Sequence, residues 1–202
     1  MRIVGGRHRG RRIEAPEGLA VRPTADRTRE AMFNILTQGK LPWPEARASA
    51  GNPLAGARVL DAFAGTGALG LEAVSRGAGQ VIFLENQAVA VTACRENILI
   101  LGEQKRCEIV NADVLHPPRA ANPCDVILMD PPYGLGLAGP ALEALRATGW
   151  TAPGTIVVIE LLAKEDFTAP AGFAPVDSRK YGKARLEFLR AEDISRDMIA
   201  SD

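Results

Sequence analysis

The chain has 202 residues, and its 24 Lys and Arg residues are matched by 24 Asp and Glu residues. This length fits one α/β domain with a small extension, and a hydrophobic content of 47% is that of an ordinary globular protein. No apolar run approaches the roughly 18 residues of a membrane span, and the Arg-rich start lacks the apolar core of a signal peptide, so the sequence predicts a cytoplasmic protein with no membrane partner.

Potential metal ligands are sparse. Cys94, Cys107 and Cys124 form no Cys-x-x-Cys pair, and His8 and His116 are the only histidines. A zinc site needs a closer grouping of such ligands. The sequence therefore predicts buried free thiols and no metal.

The first 30 residues are basic. They carry eight Arg against four acids, Glu14, Glu17, Asp26 and Glu30, while the rest of the chain has an excess of acids. A basic end on a neutral protein is typical of a protein that binds a polyanion, although a solvated charged surface is the alternative.

The N-terminal segment predicts a hairpin followed by a helix. Two short strands are expected within Met1–Pro16, and a helix capped by Thr24 or Asp26 is expected to run through Leu36. The Pro- and Gly-rich stretch Gly39–Gly56 indicates a linker. We therefore predict a basic extension over 1–38, a linker over 39–56, a main domain over 57–191 and a polar tail over 192–202.

Strand and helix patterns alternate along the main domain. Short apolar runs separated by helices predict parallel strands in a doubly wound sheet, and two final strands without a helix between them predict a terminal antiparallel hairpin. The predicted strands are Arg58–Leu60, Val81–Leu84, Cys107–Val110, Val126–Met129, Thr155–Ile159, Phe173–Asp177 and Arg185–Leu189, and the predicted helices are Leu69–Ser75, Val89–Leu101 and Ala141–Ala147.

A glycine-rich loop from Leu60 to Gly70 follows the first of these strands. Gly65 and Gly67 permit a tight turn at which a ligand can approach the backbone. Glu85 ends the next strand, about 20 residues later, where a carboxylate can accept hydrogen bonds from both ribose hydroxyls of a nucleoside. The pattern predicts a nucleoside-containing cofactor.

Two further acids favour S-adenosylmethionine over NAD, which also fits the glycine pattern. The charge of Asp61 would repel a dinucleotide pyrophosphate and attract the ammonium group of S-adenosylmethionine. Asp113 closes the third strand, where it can accept a hydrogen bond from the adenine amine. The predicted cofactor contacts are Asp61, Phe63, Gly65, Gly67, Glu85, Asn86, Asp113 and Val114.

The motif Asp130-Pro131-Pro132-Tyr133 directly follows the fourth predicted strand, near the point where such sheets bind ligands. An exocyclic base amine is a poor nucleophile because its lone pair is delocalised into the ring. The Asp130 carboxylate and the Pro131 carbonyl can accept its N–H groups and stabilise the charge that develops on nitrogen, while Pro132 helps to fix the backbone. Tyr133 offers a face for an unstacked base. These four residues are the predicted catalytic residues.

Taken together, these motifs resemble the RsmD-type 16S rRNA guanine-N2 methyltransferases. The resemblance runs from Arg2 to about Arg190, and its specific blocks are Ile3-Val4-Gly5-Gly6, Arg22-Pro23-Thr24 and Asp26-Arg27-Thr28-Arg29-Glu30. The glycine loop and the Asp-Pro-Pro-Tyr motif are shared with many methyltransferases that act on base amines.

The resemblance implies a Rossmann-like class I S-adenosylmethionine-dependent fold, with a mostly parallel seven-stranded sheet and a small N-terminal extension. It implies methylation of the N2 amine of guanine 966 in 16S rRNA, within the 30S subunit or its precursor. The RNA contacts expected from the extension are Arg7, Arg9, Arg11, Arg12, Arg22, Thr24, Arg27 and Arg29.

Three alternatives remain open at the level of sequence. The same catalytic motif serves amino-methyltransferases that act on other RNA or DNA bases. An NAD-dependent oxidoreductase fits the glycine loop, but the two histidines are poorly placed for hydride transfer. An inactive RNA-binding module is disfavoured by the intact motif. The chain also departs from the family pattern at Asn86, where an acid is common, and in the length of the segment Gly39–Gly56.

Overall fold

The computed structural model describes residues 1–15, 23–38 and 41–193. A single 3-10 turn, Gly6–His8, precedes the regular elements. In chain order these are α1 (Pro23–Thr37), α2 (Glu45–Ala48), β1 (Arg58–Ala62), α3 (Ala68–Ser75), β2 (Gln80–Glu85), α4 (Ala88–Leu101), β3 (Cys107–Asn111), β4 (Val126–Met129), α5 (Ala138–Ala147), β5 (Ile156–Leu162), β6 (Phe173–Tyr181) and β7 (Ala184–Ala191).

The strands form one sheet in the order β3-β2-β1-β4-β5-β7-β6. The first five pair in parallel, and β7 runs antiparallel between β5 and β6. The order reverses between β1 and β4, which are neighbours on the sheet although β2 and β3 lie between them in the chain. This arrangement confirms the predicted mostly parallel seven-stranded sheet with its antiparallel end.

Two differences from the predicted bounds have simple causes. Helix α5 starts at Ala138 rather than Ala141, because Pro140 lies in the first turn, where proline is tolerated. Strand β6 continues to Tyr181 rather than Asp177, since residues on a sheet edge pair through their backbones without needing apolar side chains.

Alternating side chains of the strands contribute to two hydrophobic clusters on opposite faces of the sheet. One face is covered by α1, α3, α4 and the N-terminal residues, with Ile3 and Phe33 fully buried against it. The other face is covered mainly by α5, whose Leu142 and Leu145 are fully buried. The sheet is therefore the middle of three layers, and the N-terminal extension belongs to one of the outer layers.

The predicted N-terminal hairpin is a short one, with a single antiparallel bridge in place of two full strands. One isolated antiparallel bridge joins Arg2 to Arg12, and the segment between them closes through the 3-10 turn. The backbone N–H of Val4 donates to the Glu72 carboxylate at 2.8 Å, and that of His8 donates to the Ser75 hydroxyl at 2.9 Å. The backbone N–H groups of Ile3 and Ile13 donate to the carbonyls of Arg11 and Met1, at 3.0 and 3.1 Å. The two segments therefore pair with each other, and side chains of α3 satisfy further donors in the loop between them.

The predicted linker is folded against the main domain. It contains α2, and Leu41, Trp43 and Leu54 are buried in the same cluster as the extension. Arg47 donates to the carboxylate of Asp125, just before β4. The Pro and Gly content that indicated a loop is compatible with this packing, which composition alone does not reveal. Of the predicted tail, Glu192 and Asp193 are exposed, and 194–202 lie outside the described residues.

Candidate functional site

A cleft of about 270 Å³ opens at the carboxyl ends of the parallel strands. It brings together most of the predicted cofactor and catalytic residues. It adds Gln87, Ala90, Leu115 and Leu137, which the sequence did not single out because none of them belongs to a recognisable motif. Among the predicted residues, Asp61, Gly67, Pro131 and Tyr133 are not in its lining. The lining consists of Phe63, Gly65, Glu85, Asn86, Gln87, Ala90, Asp113, Val114, Leu115, Asp130, Pro132 and Leu137.

Glu85 fixes the loops around this cleft. One carboxylate oxygen accepts the backbone N–H of Gly65 at 2.8 Å, and the other accepts those of Asn86 and Gln87 at 2.9 Å. The side chain thus ties the glycine loop to the end of β2. A carboxylate has about four acceptor sites, and these three hydrogen bonds use two on Oε1 and one on Oε2, so acceptor capacity remains on Oε2.

Asp61 lies beneath the glycine loop rather than in the cleft. It is 1% exposed, and it accepts the backbone N–H of Gly70 at 2.7 Å. Burial raises the pKa of Asp61 well above its usual value, the Gly70 hydrogen bond opposes this, and the nearby carboxylates of Asp130 and Glu85 raise the pKa further. A cation bound in the cleft would favour the ionised form of this buried acid.

The backbone of the glycine loop is tightly constrained. Phe63 has a φ of +62°, which is uncommon for a residue other than glycine and which places its backbone in a costly conformation at the rim of the cleft. Gly67 has a φ of +82°, and a side-chain carbon there would lie 2.7 Å from the Cys94 sulfur. The α4 layer therefore excludes any side chain at Gly67, which keeps the loop close to the sheet.

Asp113 stands on the far side of the cleft with 42% of its side chain exposed. One oxygen accepts the backbone N–H of Leu115 at 3.0 Å, and the other lies 3.2 Å from Nδ1 of His116. The Leu115 hydrogen bond is the largest cause of a lowered pKa of Asp113, and His116 lowers it further. The carboxylate is therefore held ionised as an acceptor.

The Asp-Pro-Pro-Tyr motif leaves β4 at the edge of the cleft. Asp130 is exposed and Pro131 is buried. The Tyr133 hydroxyl donates to Oε1 of Glu160, which lies within β5, over 2.8 Å. Sequence reasoning missed Glu160, although an acid within the apolar run of the fifth strand is the signal that could have drawn attention to it.

The basic residues of the extension are in different environments. Arg9, Arg12 and Arg27 are exposed. Arg9 and Arg27 line a second cleft of about 350 Å³, together with Arg2, Asp26 and Glu30. Two others contact the protein itself: Arg7 pairs with Glu103 at 2.8 Å, and Arg11 donates to the Ile100 carbonyl at 2.8 Å. Thr24 lies in the first turn of α1, and Arg22 lies outside the described residues.

Arg29 was predicted as an RNA contact, but its side chain is buried within the protein. Its side chain is 3% exposed, and it donates to Asp26 and to the Arg2 carbonyl, each at 2.7 Å. Its Nε lies 3.7 Å from the fully buried carboxylate of Glu72 on α3. Arg29 therefore connects the extension with the main domain and does not face a ligand.

Within the part of the chain that the structure describes, no group of three or more His, Cys, Asp and Glu side chains is arranged to hold a metal. The three cysteines are free thiols: Cys94 and Cys124 are buried, and Cys107 is half-buried. Nor does any described helix combine the length and the apolar character that crossing a bilayer demands.

Comparison with known proteins agrees with this geometry. The family model described as Conserved hypothetical protein 95 matches residues 1–190. Ribosomal RNA small subunit methyltransferase D of Escherichia coli K12 is 30% identical over 194 residues, which are 95% of this chain and 90% of that protein. The solved structure of a hypothetical protein from Thermus thermophilus is 29% identical, with a TM-score of 0.72 over 96% of this chain and 99% of that one.

A more distant structure bears on the fold alone. The 16S rRNA N2 G1207 methyltransferase of Thermus thermophilus, solved with AdoMet and guanosine, is 19% identical. Its TM-score is 0.62 over 88% of this chain and 45% of that one. The fold is thus that of the class I S-adenosylmethionine-dependent methyltransferases, as predicted. The chain belongs to the Conserved hypothetical protein 95 family, the RsmD family of S-adenosylmethionine-dependent methyltransferases.

Proposed function

We propose that the chain methylates the N2 amine of guanine 966 in 16S rRNA, using S-adenosylmethionine, during maturation of the 30S subunit in the cytoplasm. The observation that carries the proposal is the position of Asp130, which lines the same cleft as Glu85 and Asp113. The name of the Escherichia coli relative supports small-subunit rRNA as the substrate. Membership in a methyltransferase family argues against the oxidoreductase alternative.

The charges around the cleft fit S-adenosylmethionine. Asp130 and Glu85 both interact electrostatically with Asp61, beside the glycine loop. This group of acids would repel a pyrophosphate, whereas it suits a molecule that carries an ammonium group and a positive sulfur. We assign the ribose hydroxyls to Glu85 and the adenine amine to Asp113. When bound, the cofactor supplies an electrophilic methyl group.

The chain's own residues then orient the base. Asp130 and the Pro131 carbonyl accept the N–H groups of N2, so that its lone pair is directed at the methyl carbon. As the new N–C bond forms and the bond from carbon to sulfur breaks, the Asp130 carboxylate stabilises the positive charge on N2 and is placed to take the proton that N2 releases. Tyr133 supports the unstacked base.

The exposed arginines of the extension are assigned to the RNA backbone. Arg9 and Arg27 line one cleft and carry positive charge toward solvent. Their charges are suited to phosphate contacts, which position a nucleic acid without reading its sequence. The extension and the methyl-transfer site belong to one folded unit, so such contacts would fix the rRNA relative to Asp130.

The test compares substrates. The protein is incubated with labelled S-adenosylmethionine and, in parallel, with 30S subunits, free 16S rRNA and DNA. We expect label in rRNA, at the N2 position of one guanine, and none in DNA. Transfer into DNA but not into rRNA, or onto an adenine amine, would refute the proposal.

A further inference from the structure

Glu160 lies beside Asp130 on the neighbouring strand. Strands β4 and β5 pair in parallel with Met129 opposite Ile159, so Asp130, the first residue after β4, follows on next to Glu160, near the carboxyl end of β5. Adjacent strands are about 4.8 Å apart. Met129 and Ile159 both belong to the cluster on the α5 face. Because side chains alternate along a strand, Glu160 projects toward the opposite face, where the Tyr133 hydroxyl of the catalytic motif contacts its carboxylate.

The surroundings of Glu160 are unusual for an acid. It is half-buried in a strand whose neighbouring Ile159 and Leu161 are almost completely buried. The Tyr133 hydroxyl donates to one carboxylate oxygen, and none of the residues that the structure describes donates a second hydrogen bond to this carboxylate. An acid in an apolar strand costs free energy, so this spare acceptor beside the catalytic motif indicates a role in binding.

The chemistry of the bases shows what such an acceptor would select. In guanine, the ring nitrogen N1 next to the N2 amine carries a hydrogen. In adenine and cytosine, the ring nitrogen next to the exocyclic amine carries a lone pair instead. A carboxylate placed beside the amine therefore accepts a hydrogen bond from guanine and repels the other two bases.

We propose that Glu160 selects guanine by accepting its N1–H while Asp130 and the Pro131 carbonyl hold the N2 amine. The Tyr133 hydroxyl donates to Oε1 of Glu160 and leaves the other carboxylate oxygen to accept from the base. The inference rests on the proposed function, because it assigns the base specificity of that same site. It identifies the residue that would distinguish guanine from the other amine-bearing bases, which the Asp-Pro-Pro-Tyr motif by itself does not.

The test uses a base that keeps the amine but lacks the N1 hydrogen. Small-subunit rRNA is prepared with guanine or with 2-aminopurine at the position that the wild type methylates, and kcat/KM is measured for each. The wild type is expected to prefer guanine by about 10- to 100-fold, the value of a hydrogen bond to a charged acceptor. In Glu160→Gln this preference should largely disappear, because the amide can donate to the N1 lone pair of 2-aminopurine.

Two further variants separate direct contact from indirect effects. Glu108→Gln removes an exposed carboxylate from β3 and should leave the preference unchanged. Tyr133→Phe removes the hydroxyl but retains Glu160, so most of the preference should persist. A loss of folded protein would lower transfer to both bases equally and leave their ratio intact.

If Glu160→Gln keeps the wild-type ratio of kcat/KM for guanine over 2-aminopurine, the inference is wrong. It is also wrong if Tyr133→Phe loses as much of this preference as Glu160→Gln does, since Glu160 would then act only through Tyr133. If the wild type transfers no methyl group to the guanine-containing rRNA, the proposed function fails instead. The two failures are therefore distinguishable.

Discussion

Asp130 is the residue whose removal should affect chemistry most and cofactor binding least. In the proposed reaction its carboxylate contacts the base amine, where charge develops only as the methyl group moves. We expect Asp130→Ala to lower the rate at saturating substrates by about a hundredfold or more, as the loss of a charge-stabilising group does in other enzymes. The prediction is checked by measuring turnover and, by calorimetry, cofactor binding on the same preparation. A variant that keeps more than about a tenth of the wild-type rate would contradict the role.

Glu85 should show the opposite behaviour. Both of its oxygens accept backbone N–H groups of the loops that surround the cleft. In Glu85→Gln, an amide N–H would oppose one of these donors, and the charged acceptor for the ribose would be lost. We expect the cofactor Kd to rise by roughly one to two decades, which corresponds to about 1.5–3 kcal/mol.

Titration calorimetry with S-adenosylmethionine measures this effect, and methyl transfer should recover when the cofactor is saturating. Glu108→Gln is a suitable control, because it removes an exposed carboxylate of β3 that does not line the cleft. An unchanged Kd in Glu85→Gln would remove Glu85 from the cofactor site.

The buried pair between α1 and α3 attaches the extension to the main domain. Arg29 is 3% exposed and Glu72 is fully buried, so removing the guanidinium leaves a carboxylate without one of its charged neighbours. Arg29→Ala is expected to lower the free energy of unfolding by about 3 kcal/mol, the usual cost of breaking a buried ion pair from one side.

Urea unfolding of Arg29→Ala and Arg27→Ala provides the comparison. Arg27 is exposed on the same helix, and its substitution should change stability by no more than about 0.5 kcal/mol. Equal stability of the two variants would show that the Arg29 network does not support the extension.

The elements that the sequence predicts well are those with strong local signals. The parallel strands are continuous apolar runs, and the turn after β1 is defined by Gly65 and Gly67, so their order and the edge that carries the site follow from pattern and connection rules. The N-terminal residues are different, since their sequence predicts a hairpin but not the surface against which it packs. Their actual partners, Glu72 and Ser75, are more than 60 residues away in the chain, and no local pattern reports such a contact.

Local sequence patterns also do not report the contacts of single side chains in the site. The position of Asp61 at the end of β1 predicted proximity to the cofactor, but its hydrogen bond to Gly70 depends on how α3 begins. Glu160 attracted no attention because its importance arises from the register between β4 and β5, which sequence does not specify.

On the scale of the whole molecule, charge is separated although the formal net charge is zero. The basic extension covers one face of the sheet, whereas the acids that would receive a cationic cofactor lie in the cleft at the carboxyl ends of the strands. Arg29, Arg7 and Arg11 are occupied by contacts within the protein. The positive charge that remains for RNA is therefore smaller than the number of arginines suggests, and it is concentrated at exposed residues such as Arg9, Arg12 and Arg27.

A direct test of RNA binding by the extension is the salt dependence of affinity. Deleting residues 1–12 would remove the fully buried Ile3 from the core, so point substitutions are preferable. If Arg9 and Arg27 each contact one phosphate, Arg9→Gln with Arg27→Gln should flatten the slope of log affinity against log salt by about 1.4, at about 0.7 per single-stranded phosphate. Turnover at saturating RNA should change little, because neither side chain lines the methyl-transfer cleft.

The matched control is Arg119→Gln, which removes an exposed charge beside Ala120, a residue of the opposite face of the sheet. Binding of 30S subunits or 16S rRNA is measured across a salt series for the wild type, the double variant and the control. Phosphate contacts at the extension predict a flatter slope for the double variant and a wild-type slope for Arg119→Gln. Equal slopes for all three proteins would mean that Arg9 and Arg27 form a solvated surface, and the rRNA would then have to be positioned by residues nearer the cleft.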